Sequence, residues 1–400
     1  MEAHQVRTSG PLDGITVLEL DLMAPARYTA YLLAALGAEV ISVERPVHAG
    51  ADKSLTFRED TDSRWLWYQQ NKRSITLDVK KAEGREILHK LADRSDVVIE
   101  GFRPGAVERM GADYATLSAR NPKLVYCSVT AFGQTGPLKD AFGRETVYGA
   151  LTGLLDLCRE KDGPPVMLPF LITDIVGGMH AALAILAALS HRERGGRGQY
   201  IDASTYDAML PFLGLRVYDQ WLSSWFGSRP RHATPGTETM DVFETKDGGY
   251  VVVTPDSDAI WRRFCHAVQR PDLEPVRKAL ERDADPAERA RGKIRLMELF
   301  KSRTRAEWDA LNDDINVGLV GVLSLDEALA SEHAAARGAV TEVEYSPMGK
   351  IKALQSPFKF SDTPTRLRGY PRYGGDTHEI IQELGLGDRW DELVNNQVVS

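Results

Sequence analysis

The residue with the most chemical promise is Asp174, in the stretch PFLITDIVGGMHAALAILAALSHRERGGRGQY that runs from Pro169 to Tyr200. It is a single acid directly ahead of Ile175 to Leu189, a run with almost nothing polar. An apolar helix of that kind is buried rather than laid on a surface. Two readings of Asp174 follow, and they are compatible. As an N-cap it stabilises the helix by about 1 kcal/mol. As a carboxylate at the positive end of the helix dipole, among Phe170, Leu171, Ile172 and Val176, it is kept ionised in a poorly solvated place and can serve as nucleophile or base. Gly177 and Gly178 in the first turn each cost roughly 1 kcal/mol of helix stability relative to Ala. That cost implies close approach there, by a ligand or by a neighbouring helix.

The other reactive side chains form no constellation. Cys127, Cys158 and Cys265 are odd in number and far apart, with no metal-ligand spacing, so neither a disulfide framework nor a metal site is expected. His180 lies six residues beyond Asp174, on a different helix face, and reads as a core histidine. The chain has 400 residues, a formal charge of −8 and 43% hydrophobic residues. This fits a globular protein of two or three domains and excludes a general nucleic-acid binder, since no long basic block is present. The start, MEAHQVRTSG, lacks a signal-peptide core, and the longest apolar run falls short of a membrane span. A cytoplasmic protein without membrane association is expected.

The elements that must position Asp174 follow from periodicity. ITVLEL (15–20) reads as a strand, APARYTAYLLAALGAEV as a helix ended by Gly37, and VISVE (40–44) as the next strand. This βαβ unit implies parallel pairing. RSITLDV, DVVIEGF and LVYCSVT continue the strands. KAEGREILHKLADRS and GAVERMGADYATLSARN supply helices between them. The result is a doubly wound α/β sheet. No G-x-G-x-x-G follows the first strand, where the text is DLMAPAR, so no dinucleotide is expected. GQYIDAS reads as a strand and TYDAMLPFLGLRVYDQWLSSWF as one long helix. After Gly227 the texture changes: VFETKDGGYVVVTP is a hairpin around Lys-Asp-Gly-Gly, and charged helices follow. We therefore expect a large domain formed by residues 1–222 with 345–400, and a small α/β domain over residues 223–344.

With these landmarks in place, the chain resembles the class III CoA-transferases. The carriers of the resemblance are D-x-x-G-G-M-H-A-A-L-A-I-L-A-A-L followed by R-G-G-R-G-Q, and around it PLDGITVLEL, LGAEVISVERP, NKRSITLDV, DVVIEGFRPGAVERMG, NPKLVYCSVTAFGQTGP, KDGGYVVV and SPFKFSDTP in family order. The resemblance implies a Rossmann-like parallel-sheet large domain, a smaller α/β domain and an intertwined homodimer. It implies CoA transfer from an acyl-CoA thioester to a carboxylic acid, with coenzyme A thioester as substrate and no permanently bound cofactor. Asp174 is then the nucleophile, forming a mixed anhydride and an aspartyl-CoA thioester. Glu145 is an assisting acid. Arg45, Lys72, Phe102 and Arg109 match CoA-binding positions, where cations suit phosphates and an aromatic ring suits adenine. Each of these cations reads equally as a solvated surface charge. Gly248 and Gly249 match an oxyanion and substrate loop, and read equally as a plain hairpin turn.

The related racemases carry a His-Asp pair where this chain reads Gly143, Arg144, Glu145, and a Glu where it reads Pro255, Asp256, Ser257. Arginine cannot serve as a general base near neutral pH, which counts against racemisation. Arg144 and Glu145 also read as a surface ion pair. A racemase or epimerase and a non-catalytic CoA-binding subunit of a hetero-oligomer are the alternative readings. The loop after the first strand (Leu22, Met23, Ala24, Pro25) lacks the family's glycine. Trp65, Trp67 and Tyr68 are candidates for an acyl pocket or for ordinary core.

Overall fold

Short β-branched runs alternating with helices build the first unit. The structure, a computed structural model, describes residues 10–20, 23–46, 63–159, 163–226, 241–254, 257–280, 284–345 and 348–400. The side chains of residues 64–65 and 223–226 stand outside that description, as do Pro255 and Asp256. Strands β1 (Thr16–Glu19), β2 (Glu39–Glu44), β3 (Lys72–Thr76), β4 (Val97–Glu100), β5 (Val125–Thr130) and β6 (Tyr200–Ser204) pair in parallel in the order β3-β2-β1-β4-β5-β6. This is the order of dinucleotide-binding doubly wound sheets, whose ligands lie beyond the carboxyl ends of the strands where the order reverses. Here the reversal falls between β1 and β4.

The helices are α1 (Ala24–Ala35), α2 (Ser63–Gln69), α3 (Ala82–Asp93), α4 (Ala106–Met110), α5 (Tyr114–Arg120), α6 (Glu145–Leu151), α7 (Leu154–Leu157), α8 (Ile172–Glu193) and α9 (Thr205–Phe212). Gly37 ends α1 as the sequence predicts, with φ 102° and its N–H donating to Ala34 O. Alternate strand residues serve opposite layers. Leu18, Ile41 and Val98 pack with Ile87 and Leu88 on one face; Val17, Val40 and Val97 pack with Leu33 and Ile185 on the other. Burial on both faces is what makes these strands read as continuous apolar runs.

Two single-helix expectations are corrected. GAVERMGADYATLSARN breaks into α4 and α5, because Gly111 adopts φ 65° and Asp113 starts a new helix by accepting the Thr116 N–H. TYDAMLPFLGLRVYDQWLSSWF breaks after Phe212, just past Pro211, and resumes as Gly214–Phe226. The free edge of β3 is covered by a segment some 300 residues away in sequence. Asp376 N–H donates to Ser74 O, and Ser74 N–H to the Asp376 carboxylate. The Thr76 N–H meets the Thr377 hydroxyl.

The chain divides into two compact units, Met1–Val217 with Gly338–Ser400, and Tyr218–Arg337; the sequence reading placed the boundaries at 222/223 and 344/345. In the second unit, β7 (Asp241–Glu244), β8 (Tyr250–Val253) and β9 (Leu319–Gly321) form an antiparallel sheet in that order, with the hairpin where the sequence predicts it. Its core is aromatic: Phe243, Trp261, Phe264, Phe300 and Trp308. Both tryptophan N–H groups find carbonyls, Leu273 O and Phe300 O, as buried indoles require.

Candidate active site

Helix α8 begins three residues earlier than its apolar run suggests. Its N-cap is Leu171, so Asp174 is the third residue of the helix rather than its cap. The cap comes instead from Glu145, in the first turn of α6. Its carboxylate accepts the backbone N–H groups of Thr173 (2.9 Å) and Asp174 (3.1 Å) and the Thr173 hydroxyl (2.7 Å). The helix-terminal donors that an anion would use are therefore taken by Glu145.

Asp174 is left in a different state. It is buried at 8% exposure, and among the described residues its carboxylate oxygens have no hydrogen-bond or ion-pair partner. Burial pushes its pKa up to about 7, the Glu145 carboxylate adds to the rise, and Arg144 opposes it. This reverses the expectation from sequence that the helix dipole holds Asp174 strongly ionised. The acid is poised between its two protonation states near neutral pH, where a carboxylate is a better nucleophile than an ordinary exposed one.

The glycines of α8 serve helix packing. A Cβ on Gly177 would stand 2.7 Å from the Thr205 hydroxyl, and one on Gly178 2.7 Å from Pro25 O. The small-residue stripe continues through Ala181, Ala182 and Ala188, buried against the sheet and its neighbouring helices, while Met179 and Leu183 on the opposite face are exposed. The all-round burial expected of α8 is thus corrected to one face. By length and composition α8 is the single described helix able to span a membrane, yet its buried face packs on α1, α9 and β5. His180 is corrected too: it is exposed, with Nδ1 2.8 Å from Val176 O.

Arg144 is exposed and precedes α6 as its N-cap residue. It does not pair with Glu145, and no acid of the described residues lies within ion-pair distance of it. Its guanidinium stands 5.3 Å from the centre of the Phe142 ring. Of the aromatic cluster before Asn71, Tyr68 is buried and stacks on Trp67 at 4.8 Å, as core residues do. The side chain of Trp65 and the residue Leu22 lie outside the described residues.

A pocket opens at the carboxyl ends of β1 to β4. Leu20, Arg45, Leu77 and Phe102, which line it, each follow one of these strands. Lys80, Asp78 and Met110 complete its rim and wall. The structure thus brings Arg45 and Phe102 together. Arg109 is exposed on α4 beside Met110. Lys80 was missed from sequence because nothing in VKKAEG marks one lysine above its neighbour; the signal was its place just after β3.

Lys72 is a correction. Its ammonium is fully buried and donates to both Glu19 oxygens (2.9 and 2.8 Å) and to Arg27 O. Held there, it is not offered to a phosphate, and burial pulls its pKa down to about 8. Beside it Arg27 pairs with Glu44, which also accepts from Gln69 and Ser42. Gly248 and Gly249 sit in the β7–β8 turn of the second unit. Gly248, at φ 78°, donates its N–H to Thr245 O, so that donor is spent on the turn rather than free for an oxyanion. The Thr245 hydroxyl first, then the Arg305 N–H and, among the smaller contributions, the Gly249 N–H hold Asp247 below the usual carboxylate range.

Comparison with known proteins identifies the family of the chain. Residues 12–377 match the family model described as CoA-transferase family III. The formyl-CoA:oxalate CoA-transferase of Streptomyces avermitilis is 32% identical, over 97% of this chain and 99% of the relative. The beta subunit of the succinyl-CoA–L-malate CoA-transferase of Chloroflexus aurantiacus is 30% identical, over 97% of each chain. Among solved structures, a CAIB/BAIF family protein from Brucella suis superposes with a TM-score of 0.78 at 28% identity, over 94% of this chain and 100% of the other. The chain belongs to CoA-transferase family III, and is an enzyme of that class acting on acyl-CoA thioesters and carboxylates.

Proposed function

We propose that this enzyme moves CoA from an acyl-CoA to a carboxylic acid through covalent intermediates on Asp174. The observation that carries this reading is a buried carboxylate with no partner among the described residues, in the first turn of a helix whose end is capped by another acid. In the first step an Asp174 oxygen attacks the thioester carbonyl and the C–S bond breaks, giving a mixed anhydride and CoA thiolate. The thiolate then attacks the Asp174 γ-carbon, the C–O bond breaks, and the donor's acid leaves as its carboxylate. The acceptor carboxylate attacks the resulting aspartyl-CoA thioester and expels thiolate again. Return of thiolate to the acyl carbon forms the new acyl-CoA and frees Asp174. Each step exchanges one leaving group for one nucleophile, so no external proton is consumed.

Arg45, Phe102 and Lys80 are the residues we assign to the CoA nucleotide, with Arg109 beside them. The pocket's place at the strand ends supports this. The relatives named above act on oxalate and L-malate. A homodimer is the assembly we propose, in line with the exposed Leu183 (62%) and Leu215 (57%). The presence of Asp174 weighs against the non-catalytic subunit, and Arg144 in place of a base weighs against the racemase.

The test is mass spectrometry of the protein quenched with hydroxylamine or borohydride after incubation with a panel of acyl-CoAs. A mass change on the peptide carrying Asp174, absent in Asp174→Ala, is the expected result. No adduct with any donor, together with solvent deuterium at the α-carbon of the recovered thioester, would overturn the reading in favour of racemisation.

A further inference from the structure

We infer that Tyr373 is a positioning residue for the CoA nucleotide: its hydroxyl fixes the backbone that carries Arg45 into the strand-end pocket. The inference rests on the nucleotide role proposed for Arg45. Its basis is where the sheet stops. The pairing of β2 with β3 ends at Glu44 and Thr76, and the Leu77 N–H closes it by donating to Glu44 O. Arg45 is the next residue, already outside the strand, and Pro46 after it has no N–H to give. The carbonyl between them accepts instead from the Tyr373 hydroxyl, at 2.5 Å and across 328 residues of chain.

Tyr373 is a fixed point because the residues after it are bound to β3. Gly374 adopts φ 63°, and a Cβ there would stand 2.6 Å from the Thr76 Cγ2, so only glycine allows this approach. The Gly374 N–H donates to the Ser74 hydroxyl at 2.8 Å, and the Thr377 hydroxyl donates to Gly374 O within the same turn. With Asp376 on Ser74, these contacts seat the tyrosine on the sheet. The phenol is half-buried. Burial first and the Glu44 carboxylate next raise its pKa, against Arg27 and Arg45, so it stays a hydroxyl and a donor.

The choice of acceptor decides what the contact does. A tyrosine bound to the Arg45 guanidinium would compete with a phosphate. Bound to the main chain, Tyr373 holds the base of the side chain and takes none of the guanidinium donors. An arginine on a loose strand end must be ordered when a phosphate binds, and that ordering subtracts from affinity. A backbone fixed beforehand lowers the cost. The same C-terminal stretch also reaches the β3 side of the pocket. There the Asp78 N–H donates to Val398 O at 2.8 Å, and Asp78 and Lys80 line the pocket. Both cations of the pocket thus sit on backbone braced from one part of the chain.

The experiment uses Tyr373→Phe, Arg45→Ala and the double variant in the full chain. Tyr373→Phe keeps the ring and removes the donor. One readout is the Kd of free CoA by titration calorimetry. The other is the KM of the acyl-CoA that labels Asp174 best, beside that of the acyl-pantetheine with the same acyl group, which lacks the nucleotide. Tyr373→Phe is expected to raise the CoA Kd and the acyl-CoA KM about threefold to tenfold, the range of one hydrogen bond, with kcat and the acyl-pantetheine KM unchanged. Arg45→Ala raises the CoA Kd by more, and adding Tyr373→Phe to it changes nothing further, because the tyrosine acts through the arginine. A wild-type CoA Kd in Tyr373→Phe, with binding weakened in Arg45→Ala, overturns the inference and keeps the nucleotide role of Arg45. Equal losses with acyl-CoA and acyl-pantetheine, or a full Tyr373→Phe effect in the Arg45→Ala background, assign Tyr373 to general packing and overturn it too. An Arg45→Ala variant that binds CoA as wild type does discards the nucleotide role, and the inference with it.

Discussion

Two places in the first unit bury carboxylates, and they do so in opposite ways. At the ends of β1 and β2, Glu19 and Glu44 are sealed from solvent, each with its own cation, Lys72 and Arg27. At the start of α8, Asp174 is buried with none among the described residues. A buried charge is tolerated when paired and hydrogen-bonded, and otherwise its pKa moves toward neutrality. The first arrangement is architecture. The second leaves an acid whose charged form is costly to bury, the kind of arrangement that clusters at functional sites.

Breaking the architectural pair gives the largest stability effect. Lys72→Met strands a buried Glu19 carboxylate and is expected to cost about 3–5 kcal/mol in urea unfolding. The double replacement Glu19→Leu with Lys72→Met recovers most of that loss, because the pair as a whole is near neutral against an apolar one. A double mutant as unstable as the single one would show that the pair holds more than itself.

Asp174→Asn gives the next effect, in the other direction. The folded pKa of Asp174, about 7, lies above its ordinary value of 3.8. Its contribution is therefore fully present below pH 3.8 and is lost as pH rises through about 7. The variant is expected to match wild type near pH 3.8, to gain on it as pH rises, and to lead by a few kcal/mol, as an order of magnitude, at pH 8. Unfolding curves across that range check this. A constant difference would assign the effect to packing.

Glu145→Gln gives the smallest effect. Gln still accepts from the α8 terminus but no longer repels a charge on Asp174. The acid limb of kcat/KM is expected to move to lower pH, by a modest amount because burial is the larger cause and remains. A limb that stays in place would assign Glu145 to capping alone.

The sequence made Asp174 and the parallel sheet visible for the same reason: both rest on local pattern. Period and terminal glycines such as Gly37 mark elements within a few residues. What was hidden lies across long separations. Glu145 reaches Thr173 over 28 residues and Lys72 reaches Glu19 over 53. No periodicity encodes such partners, so the helix cap was assigned to the nearest acid and Lys72 to a ligand. The breaks at Gly111 and past Pro211 were legible as a glycine and a proline; the apolar residues around them kept the helical period and masked them.

The strap over the β3 edge bears on how the chain folds. Ser74 and Asp376 meet only after all of Tyr218–Arg337 lies between them in the chain. Contacts of such span carry the largest loop-closure entropy and are slow to form. The second unit has its own aromatic core and antiparallel sheet. If it condenses first, the effective loop shortens from a long coil to a compact insert. The edge of β3 stays open until then, an unpaired strand exposed to other chains. Folding of the smaller unit thus sets how long the larger one remains vulnerable to aggregation.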